Sequence, residues 1–231
     1  MERKWILITG SSQGLGKALA LVFSKNNYNI ILHGKSKDRL EETKKEILKN
    51  DVECEYVEGD LKYGETIEKL AERAIEKDIF VLINNAAVGK IKDFADFDEK
   101  DILEELDVDL VAPIRLTKRI YGMMINKKEG IIININGMDG IRVSGNGGSA
   151  YSAAKFGLKG FTDALRFESK KYGIRVIGAY LAGMKTEMYS RNRGDNSNCM
   201  EPLEVAGVVH DICKNYPSLQ VDEINIGRMK F

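Results

Sequence analysis

Cysteine is scarce in this sequence, and the few that occur are not arranged for metal binding or disulfide pairing. There are three, Cys54, Cys199 and Cys213, and they lie far apart with no CxxC or Cys/His pattern between them. Free thiols are typical of a reducing cytosol. We therefore expect a cytoplasmic protein that holds no metal ion.

The chain also lacks an excess of either charge and any long apolar run. Its 231 residues include 35 basic and 35 acidic side chains, a balance that argues against nucleic acid or an anionic membrane as a partner. A membrane-spanning helix needs about 20 apolar residues in succession, and no stretch approaches that length. The first apolar run, directly after Met1–Lys4, is too short for a secretory leader.

What the chain does contain is a regular alternation of strand-like and helix-like segments. The first predicted strand, Trp5–Ile8, is apolar on both faces, which is typical of a strand buried in a parallel sheet. Further strands are predicted at Asn29–Leu32, Val52–Val57, Ile79–Ile83, Ile131–Ile135, Ile174–Ala179 and Glu223–Ile226. Helices are predicted at Leu15–Lys25, Lys37–Lys49, Glu65–Glu76, Ile102–Ile125, Tyr151–Lys171 and Leu203–Lys214. The many Lys and Glu residues of these helices are most simply solvated faces.

This alternation predicts a doubly wound α/β fold. We expect a mostly parallel sheet of about seven strands with helices on both faces. Neither a linker nor a repeat interrupts the pattern, so residues 1–231 are predicted to form a single domain. In such a fold the ligand crevice lies at the carboxyl ends of the strands, where the strand order reverses.

A glycine-rich turn joins the first predicted strand to the first helix. The segment Thr9–Gly16 reads TGSSQGLG, in which Gly10 permits a tight turn, Gly14 lets the backbone approach a phosphate, and Gly16 allows close packing of helix on strand. The helix N-terminus offers free N–H groups to a pyrophosphate. A glycine trio alone is weak support, but the required strand-turn-helix context is present. The predicted binding residues here are Gly10, Ser12, Gln13, Gly14, Leu15 and Gly16.

The spacing T-G-x-x-x-G-x-G resembles that of the short-chain dehydrogenase/reductase family, and further segments match in the same order. They are Asp60-Leu61, Asn84-Asn85-Ala86-Ala87, Tyr151-Ser152-Ala153-Ala154-Lys155 and Thr186. The resemblance covers essentially the whole chain. It implies a Rossmann-fold oxidoreductase in which Asp60, Leu61, Asn85, Ala86, Ala87 and Thr186 contact a nicotinamide dinucleotide.

The end of the second predicted strand bears on the choice between NAD(H) and NADP(H). An acidic residue there holds the ribose 2′-hydroxyl of NAD, whereas a basic residue accommodates the 2′-phosphate of NADP. The sequence has no carboxylate at that point, and Lys35, Ser36 and Arg39 can donate hydrogen bonds to a phosphate. The alternative is that Lys35 and Lys37 merely begin a charged helix. We expect NADP(H), and we interpret His33 as an ordinary strand-end residue.

The resemblance assigns catalysis to Tyr151 and Lys155. Four residues apart on a predicted helix, they share one face, and an ammonium beside a phenol is expected to lower the pKa of that phenol. The family pattern implies that Tyr151 exchanges a proton with a carbonyl oxygen while the nicotinamide exchanges hydride with its carbon. It also implies that Lys155 holds the nicotinamide ribose.

Two catalytic positions depart from the family pattern. The usual serine falls on Gly137, which has no side chain, so we expect the amide of Asn136 to donate in its place, with Ser144 and Ser149 as alternatives. The usual asparagine falls on Asp109, which accepts hydrogen bonds but when ionised cannot donate them. We expect Asp109 to pair with Lys155. The usual Pro-Gly is Leu181-Ala182, with Gly183 one place later.

Two functions of different classes remain compatible with these residues. The first is an NADP(H)-dependent oxidoreductase that interconverts a small carbonyl and an alcohol. The second is a catalytically weak NADP(H)-binding protein with a sensing or scaffolding role, and a nucleotide-sugar or methyl-transfer enzyme is a more distant alternative. Arg191 and Arg193, in the predicted polar loop Tyr189–Met200, face either an anionic substrate or solvent. Relatives pair the two long helices, so we expect a homodimer or homotetramer.

Overall fold

The computed structural model describes residues 3–143, 148–215 and 219–229, and it contains a seven-stranded sheet with helices on both faces. The strands are β1 (Trp5–Ile8), β2 (Asn29–Gly34), β3 (Cys54–Glu58), β4 (Val81–Asn84), β5 (Gly130–Gly137), β6 (Ile174–Leu181) and β7 (Glu223–Ile226). The α-helices are α1 (Gly14–Lys25), α2 (Lys37–Ile47), α3 (Gly64–Glu76), α4 (Glu99–Leu106), α5 (Ala112–Lys127), α6 (Ser149–Ser169), α7 (Glu187–Arg193) and α8 (Pro202–Asn215).

The strand order places β1 at the centre of the sheet. The order is β3-β2-β1-β4-β5-β6-β7, and every adjacent pair is parallel. The chain therefore leaves β1 in one direction to build β2 and β3, and resumes on its other side with β4. The connections after β1 and β4 run to opposite faces, which opens a crevice at their carboxyl ends. The predicted doubly wound, parallel fold is confirmed.

The alternation of side chains along the strands divides the core into two layers. Ile6 and Ile8 of β1 pack with the layer that includes Phe23 of α1, whereas Leu7 packs with the opposite layer that includes Leu116 of α5. Both faces of the central strands are buried, which explains why these segments are apolar throughout rather than alternating between apolar and polar residues.

The predicted long helix is not continuous. It starts earlier than Ile102, at Glu99, because the side chain of Asp98 caps the helix by accepting the N–H of Asp101 at 2.8 Å. A π-helical turn, Asp107–Val111, then separates α4 from α5. Such a turn inserts one residue into the helical repeat and is common at functional sites.

A second difference lies after β6, where part of the predicted polar loop is helical. Helix α7 carries no apolar stripe, but the hydroxyl of Thr186 caps it by accepting the N–H of Tyr189 at 3.2 Å. Helices α2 and α6 end earlier than predicted, at Ile47 and Ser169, and each continues as a short 3₁₀ turn. Within the described residues, no helix has the length and apolarity that a bilayer crossing requires.

Candidate active site

The glycine-rich turn after β1 is shaped by close backbone approaches. Gly10 has a φ of +64°, and a Cβ added there would lie 2.8 Å from Cα of Ala86, so only glycine fits. The turn leads into α1, whose N-cap residue Gln13 makes no side-chain cap and whose first turn carries no acidic residue. The leading N–H groups of α1 therefore favour an anion, which is the arrangement a dinucleotide pyrophosphate requires.

The side chain of His33, on β2, forms a hydrogen bond with this turn. Its Nδ1 accepts the N–H of Gly10 at 3.2 Å, and its Nε2 lies 3.2 Å from the carbonyl oxygen of Gly59. These partners fix a neutral imidazole with the proton on Nε2. Burial lowers the pKa of His33 to about 4, and the hydrogen bond to the Gly59 carbonyl, which favours the protonated ring, opposes this effect only in part. The interpretation of His33 as an ordinary strand-end residue is wrong, since it holds the turn in place.

The end of β4 is clamped to the same turn. The hydroxyl of Thr9 accepts the N–H groups of Asn85 and Ala86 at 2.9 and 3.0 Å, and Nδ2 of Asn85 donates to the carbonyl oxygens of Thr9 and Gly10. The Asn-Asn-Ala-Ala segment therefore acts in part through the backbone, by holding the carboxyl ends of β1 and β4 in register.

Basic and hydroxyl groups cluster where β2 ends. Lys35 Nζ lies 3.6 Å from Oδ2 of Asp60. The hydroxyl of Ser36 caps α2 by accepting the N–H of Arg39, and Nη1 of Arg39 lies 3.1 Å from Oε2 of Glu187 at the start of α7. All five residues line one cavity with the glycine-rich turn. The strand itself ends in glycine, with no carboxylate to receive a ribose 2′-hydroxyl.

This cavity is continuous from the end of β2 to the helix α6. Its volume is about 1120 Å³, which is slightly larger than most ligand and cofactor sites. It is lined by every residue predicted to contact the dinucleotide: Gly10, Ser12, Gln13, Gly14, Leu15, Gly16, Lys35, Ser36, Asp60, Leu61, Asn85, Ala86, Ala87, Tyr151, Lys155 and Thr186. The residues present therefore fit an extended dinucleotide.

Tyr151 and Lys155 share the inner face of α6, as predicted. The Lys155 side chain is almost fully buried, and its Nζ lies 5.4 Å from the centroid of the Tyr151 ring. The expected lowering of the tyrosine pKa is wrong for this arrangement. Burial raises the pKa of Tyr151, and the carboxylates of Asp109, Asp139 and Glu105 raise it further.

Asp109 lies in the π-helical turn, where it is fully buried beside Lys155. Its Oδ2 is 3.4 Å from Lys155 Nζ, an ion-pair contact, and its Oδ1 accepts the N–H of Val88 at 2.8 Å. One turn earlier, Glu105 is also fully buried, and its Oε1 accepts the N–H of Lys90. Nothing in the sequence marks Glu105 as a site residue, because a buried glutamate on a charged helix has the same sequence pattern as a solvated one.

Gly137 faces the Tyr151 hydroxyl. A Cβ added at Gly137 would lie 3.1 Å from that oxygen and 3.9 Å from Oδ2 of Asp139. The neighbouring Asn136 side chain is turned away, since its Nδ2 donates to the carbonyl oxygen of Lys155 at 2.9 Å and its Oδ1 accepts the N–H of Gly137. This geometry conflicts with the prediction that Asn136 replaces the serine, because its amide already holds β5 against α6.

Helix α7 contributes to the lining of the cavity. Arg191 donates to the carbonyl oxygen of Val88 at 3.4 Å, and Nη2 of Arg193 lies 3.7 Å from Oδ2 of Asp139. Ser149, offered as an alternative donor, is exposed at the first position of α6, and Ser144 lies outside the described residues. Asp139 and Arg193 are site residues that the motifs do not include.

Comparisons with known proteins agree with this geometry. The family model for the short chain dehydrogenase matches residues 4–197. Oxidoreductase UcpA of Salmonella typhimurium is 29% identical over 229 residues, which cover 98% of this chain and 85% of that protein. An uncharacterized oxidoreductase of Escherichia coli, YgcW, is 33% identical over 180 residues, covering 77% of this chain and 68% of that protein.

Solved structures give the same result for the fold. An alcohol dehydrogenase of the archaeon Thermococcus sibiricus, complexed with 5-hydroxy-NADP, superposes with a TM-score of 0.89 at 22% identity over 100% of both chains. A metagenomic short-chain oxidoreductase in complex with NADP superposes with a TM-score of 0.85 at 25% identity over 98% of each chain. Motifs, sheet order and relatives converge, and the chain belongs to the short-chain dehydrogenase family of oxidoreductases.

Proposed function

We propose that this protein is an NADP(H)-dependent oxidoreductase that interconverts a small carbonyl compound and its alcohol. The observation that carries the proposal is one cavity lined at one end by Lys35, Ser36 and Arg39 and at the other by Tyr151 and Lys155. A basic cluster without an acid favours a 2′-phosphate over a 2′-hydroxyl. The NADP complexes among the structural neighbours support the same choice.

Each end of the cavity has a distinct role in this proposal. The α1 N-terminus holds the pyrophosphate, and Lys35 and Arg39 exchange their carboxylate partners for the 2′-phosphate. When bound, the nicotinamide supplies or accepts hydride. The Tyr151 hydroxyl donates a proton to the carbonyl oxygen during reduction and recovers it during oxidation, while Lys155 holds the ribose and provides the adjacent positive charge.

The active site is atypical because Gly137 offers no hydroxyl to the substrate oxygen. A weak NADP(H)-binding protein with a sensing or scaffolding role is the second candidate. It is favoured by the amide of Asn136, which donates to the carbonyl oxygen of Lys155 and so does not replace the missing hydroxyl. Retention of Tyr151 and Lys155 favours the enzyme, since a protein that only binds the dinucleotide has no use for a buried proton donor. We also propose that residues 1–231 act as one cytoplasmic unit, assembled as a homodimer or homotetramer.

Calorimetric titration tests the cofactor part of the proposal. We expect NADPH to bind at least several-fold more tightly than NADH, because each new contact to a phosphate is charge-assisted. Lys35→Asp should shift the preference towards NADH, since it removes a phosphate contact and adds a 2′-hydroxyl acceptor. Equal affinities of the wild-type protein for the two dinucleotides would contradict the assignment.

Nicotinamide absorbance during a screen of ketones, aldehydes and quinones tests the chemistry. Tyr151→Phe keeps the ring and should leave NADPH affinity nearly unchanged while it abolishes reduction. Lys155→Ala should impair both, because it also removes the ribose contact. A wild-type protein that binds NADPH but oxidises it with no compound, like Tyr151→Phe, would support the binding-only alternative.

A further inference from the structure

Glu105 is a buried carboxyl for which the proposed chemistry has no role. Its side chain is 0% exposed. Oε1 accepts the N–H of Lys90, whereas Oε2 has no hydrogen-bond partner within the described residues. A buried carboxylate oxygen without a donor is costly, and protonation removes most of that cost.

The charges around Glu105 indicate how many protons the site holds. From its own helical segment Asp109 faces it, from the loop after β4 Lys90 does, and from α6 Lys155 does. The charge of Glu104 acts on Asp109. Lys90 Nζ binds Asp101 and Glu104 at the edge of the site. Lys92 binds Asp101 as well, and the charge of Glu105 also acts on Tyr151 of α6.

Two buried carboxyls therefore share the single buried ammonium of Lys155. Both carboxyls can ionise together only against the repulsion between them and the loss of solvation, so the pair is expected to retain one proton at neutral pH. Burial raises the pKa of Asp109, and Lys155 and the Val88 N–H oppose that shift. Oδ2 of Asp109, like Oε2 of Glu105, accepts no hydrogen bond within the described residues, but it has the Lys155 ammonium 3.4 Å away, and this ion-pair contact favours the ionised form of Asp109 over that of Glu105. In the described part of the chain, Oε2 of Glu105 has neither a hydrogen-bond donor nor a cation of this kind beside it, which favours the protonated form of Glu105.

We propose that Glu105 is a positioning residue that carries the proton of this buried pair, so that Asp109 stays ionised and holds Lys155 beneath Tyr151. Ionisation of Glu105 then adds a second negative charge beside Lys155 and weakens its hold on the tyrosine and the ribose. The inference rests on the proposed oxidoreductase function for its catalytic consequence, but the protonation state itself does not depend on turnover.

The direction of the pKa supports this geometry. Burial, and after it the charge of Asp109, raise the pKa of Glu105 to about 7 even though the Lys90 N–H and Lys155 oppose the shift. Glu105 also raises the pKa of Tyr151 when it is ionised. We therefore expect kcat for reduction to fall as the pH rises through 7.

Glu105→Gln is the direct test of the catalytic part. Glutamine is nearly isosteric, it keeps an oxygen for the Lys90 N–H, and it cannot ionise. We expect the variant to match wild type within about twofold at pH 6 and to exceed it several-fold at pH 8.5, because Glu105 of the wild type is largely ionised at the higher pH whereas the glutamine stays neutral. KM for NADPH at pH 6 should not change. Glu99→Gln, an exposed carboxyl on the same helix, is the matched control and should follow wild type throughout.

Carboxyl carbon NMR on protein labelled at glutamate tests the protonation state without any substrate. Wild type should show one glutamate that titrates near pH 7, absent from Glu105→Gln, and Asp109→Asn should move that titration towards the usual pH range by removing the neighbouring charge. Absence of such a signal would overturn the proposal, whether or not a substrate has been found. A signal with an unchanged kcat profile in Glu105→Gln would overturn its catalytic part alone.

Discussion

At the scale of single residues, the decisive feature is an absent side chain opposite Tyr151. Gly137 has a φ of −97° and a ψ of 166°, a conformation that any residue adopts. Glycine is therefore not needed there for backbone geometry. The position is free to carry a serine, and the space next to the Tyr151 hydroxyl is where its oxygen would lie.

Gly137→Ser is expected to raise kcat/KM for reduction. Loss of one such donor costs about 10²–10³ in rate in other enzymes, so restoring one should gain about tenfold or more after the crowding of the Cβ against Tyr151. Steady-state kinetics with the best substrate of the screen would measure it. Gly137→Ala is the control, since it adds the Cβ without the hydroxyl and should not accelerate the reaction. An equal gain in both variants would attribute the effect to packing.

His33 makes a second prediction at this scale, on stability in acid. Its pKa is lowered from 6.5 to about 4 in the folded protein, so below pH 6.5 the unfolded chain takes up a proton that the folded one does not. The contribution of His33 is fully present above pH 6.5 and is lost progressively down to about pH 4, at roughly 1.4 kcal/mol per pH unit.

Denaturant unfolding at several pH values would measure this loss. The free energy of unfolding of wild type should fall faster than that of His33→Gln across this range, and NADPH affinity should fall with it, because a protonated ring cannot accept the Gly10 N–H. Parallel curves for the two proteins would contradict the prediction. The result to compare is the difference in unfolding free energy between the two proteins, because acidic residues elsewhere also lose their ion pairs in acid and lower the stability of both.

At the scale of elements, α7 is the described α-helix that depends most on contacts outside itself. Seven residues are too few for a stable isolated helix, and this one depends on the Thr186 cap and on contacts with the cavity rim. The Thr186 methyl carbon lies 3.3 Å from where a Cβ would stand on Gly14, so the start of α7 rests directly on the glycine-rich turn. Ordering of α7 and binding of the dinucleotide should therefore be coupled.

Thr186→Ala is expected to loosen α7 and weaken NADPH binding. Removal of an N-cap costs about 1 kcal/mol, which corresponds to roughly a fivefold loss if binding requires the ordered helix. Hydrogen exchange of the α7 amides and calorimetry would report the two effects together. Thr186→Ser keeps the hydroxyl and should behave like wild type. If serine binds NADPH as weakly as alanine does, the methyl contact rather than the cap is responsible.

The strands and most helices could be predicted from the sequence because their apolar pattern and their order follow directly from burial in a parallel sheet. Helix α7 could not, since its stability comes from a cap and from tertiary contacts rather than from an apolar stripe. The π-helical turn could not be predicted either, because no hydrophobic period in the sequence distinguishes it from the α-helix on either side. In the site, Tyr151, Lys155 and the glycine-rich turn were predictable from fixed spacings, whereas His33 and Glu105 depend on partners from other elements.

At the scale of the whole molecule, the surface retains apolar side chains that the core does not use. Of five large apolar residues along α6, Leu158 and Leu165 are buried and Phe161 packs on the core, whereas Phe156 and Phe167 are 43% and 72% exposed. Leu103 and Val111 are exposed on the neighbouring helical segment. Burial of these groups in a partner is the simplest use for them.

Sedimentation velocity at micromolar concentration should therefore detect a species of at least twice 25.9 kDa. Phe167→Glu should shift it towards monomer, because a buried unpaired charge opposes association. Ile75→Glu is the control, since Ile75 is 46% exposed on the outer helix α3. A wild-type protein that sediments only as monomer would rule out the homo-oligomer.

The central position of β1 also constrains how the chain is made. During synthesis β1, β2 and β3 leave the ribosome before β4 and can pair with one another, but the other edge of β1 has no partner until β4, which starts at Val81, has emerged. Until then the most apolar strand of the protein presents an open row of backbone groups. The growing polypeptide is therefore most exposed to aggregation between the completion of β3 and the arrival of β4, and chaperone capture should peak in that interval of translation.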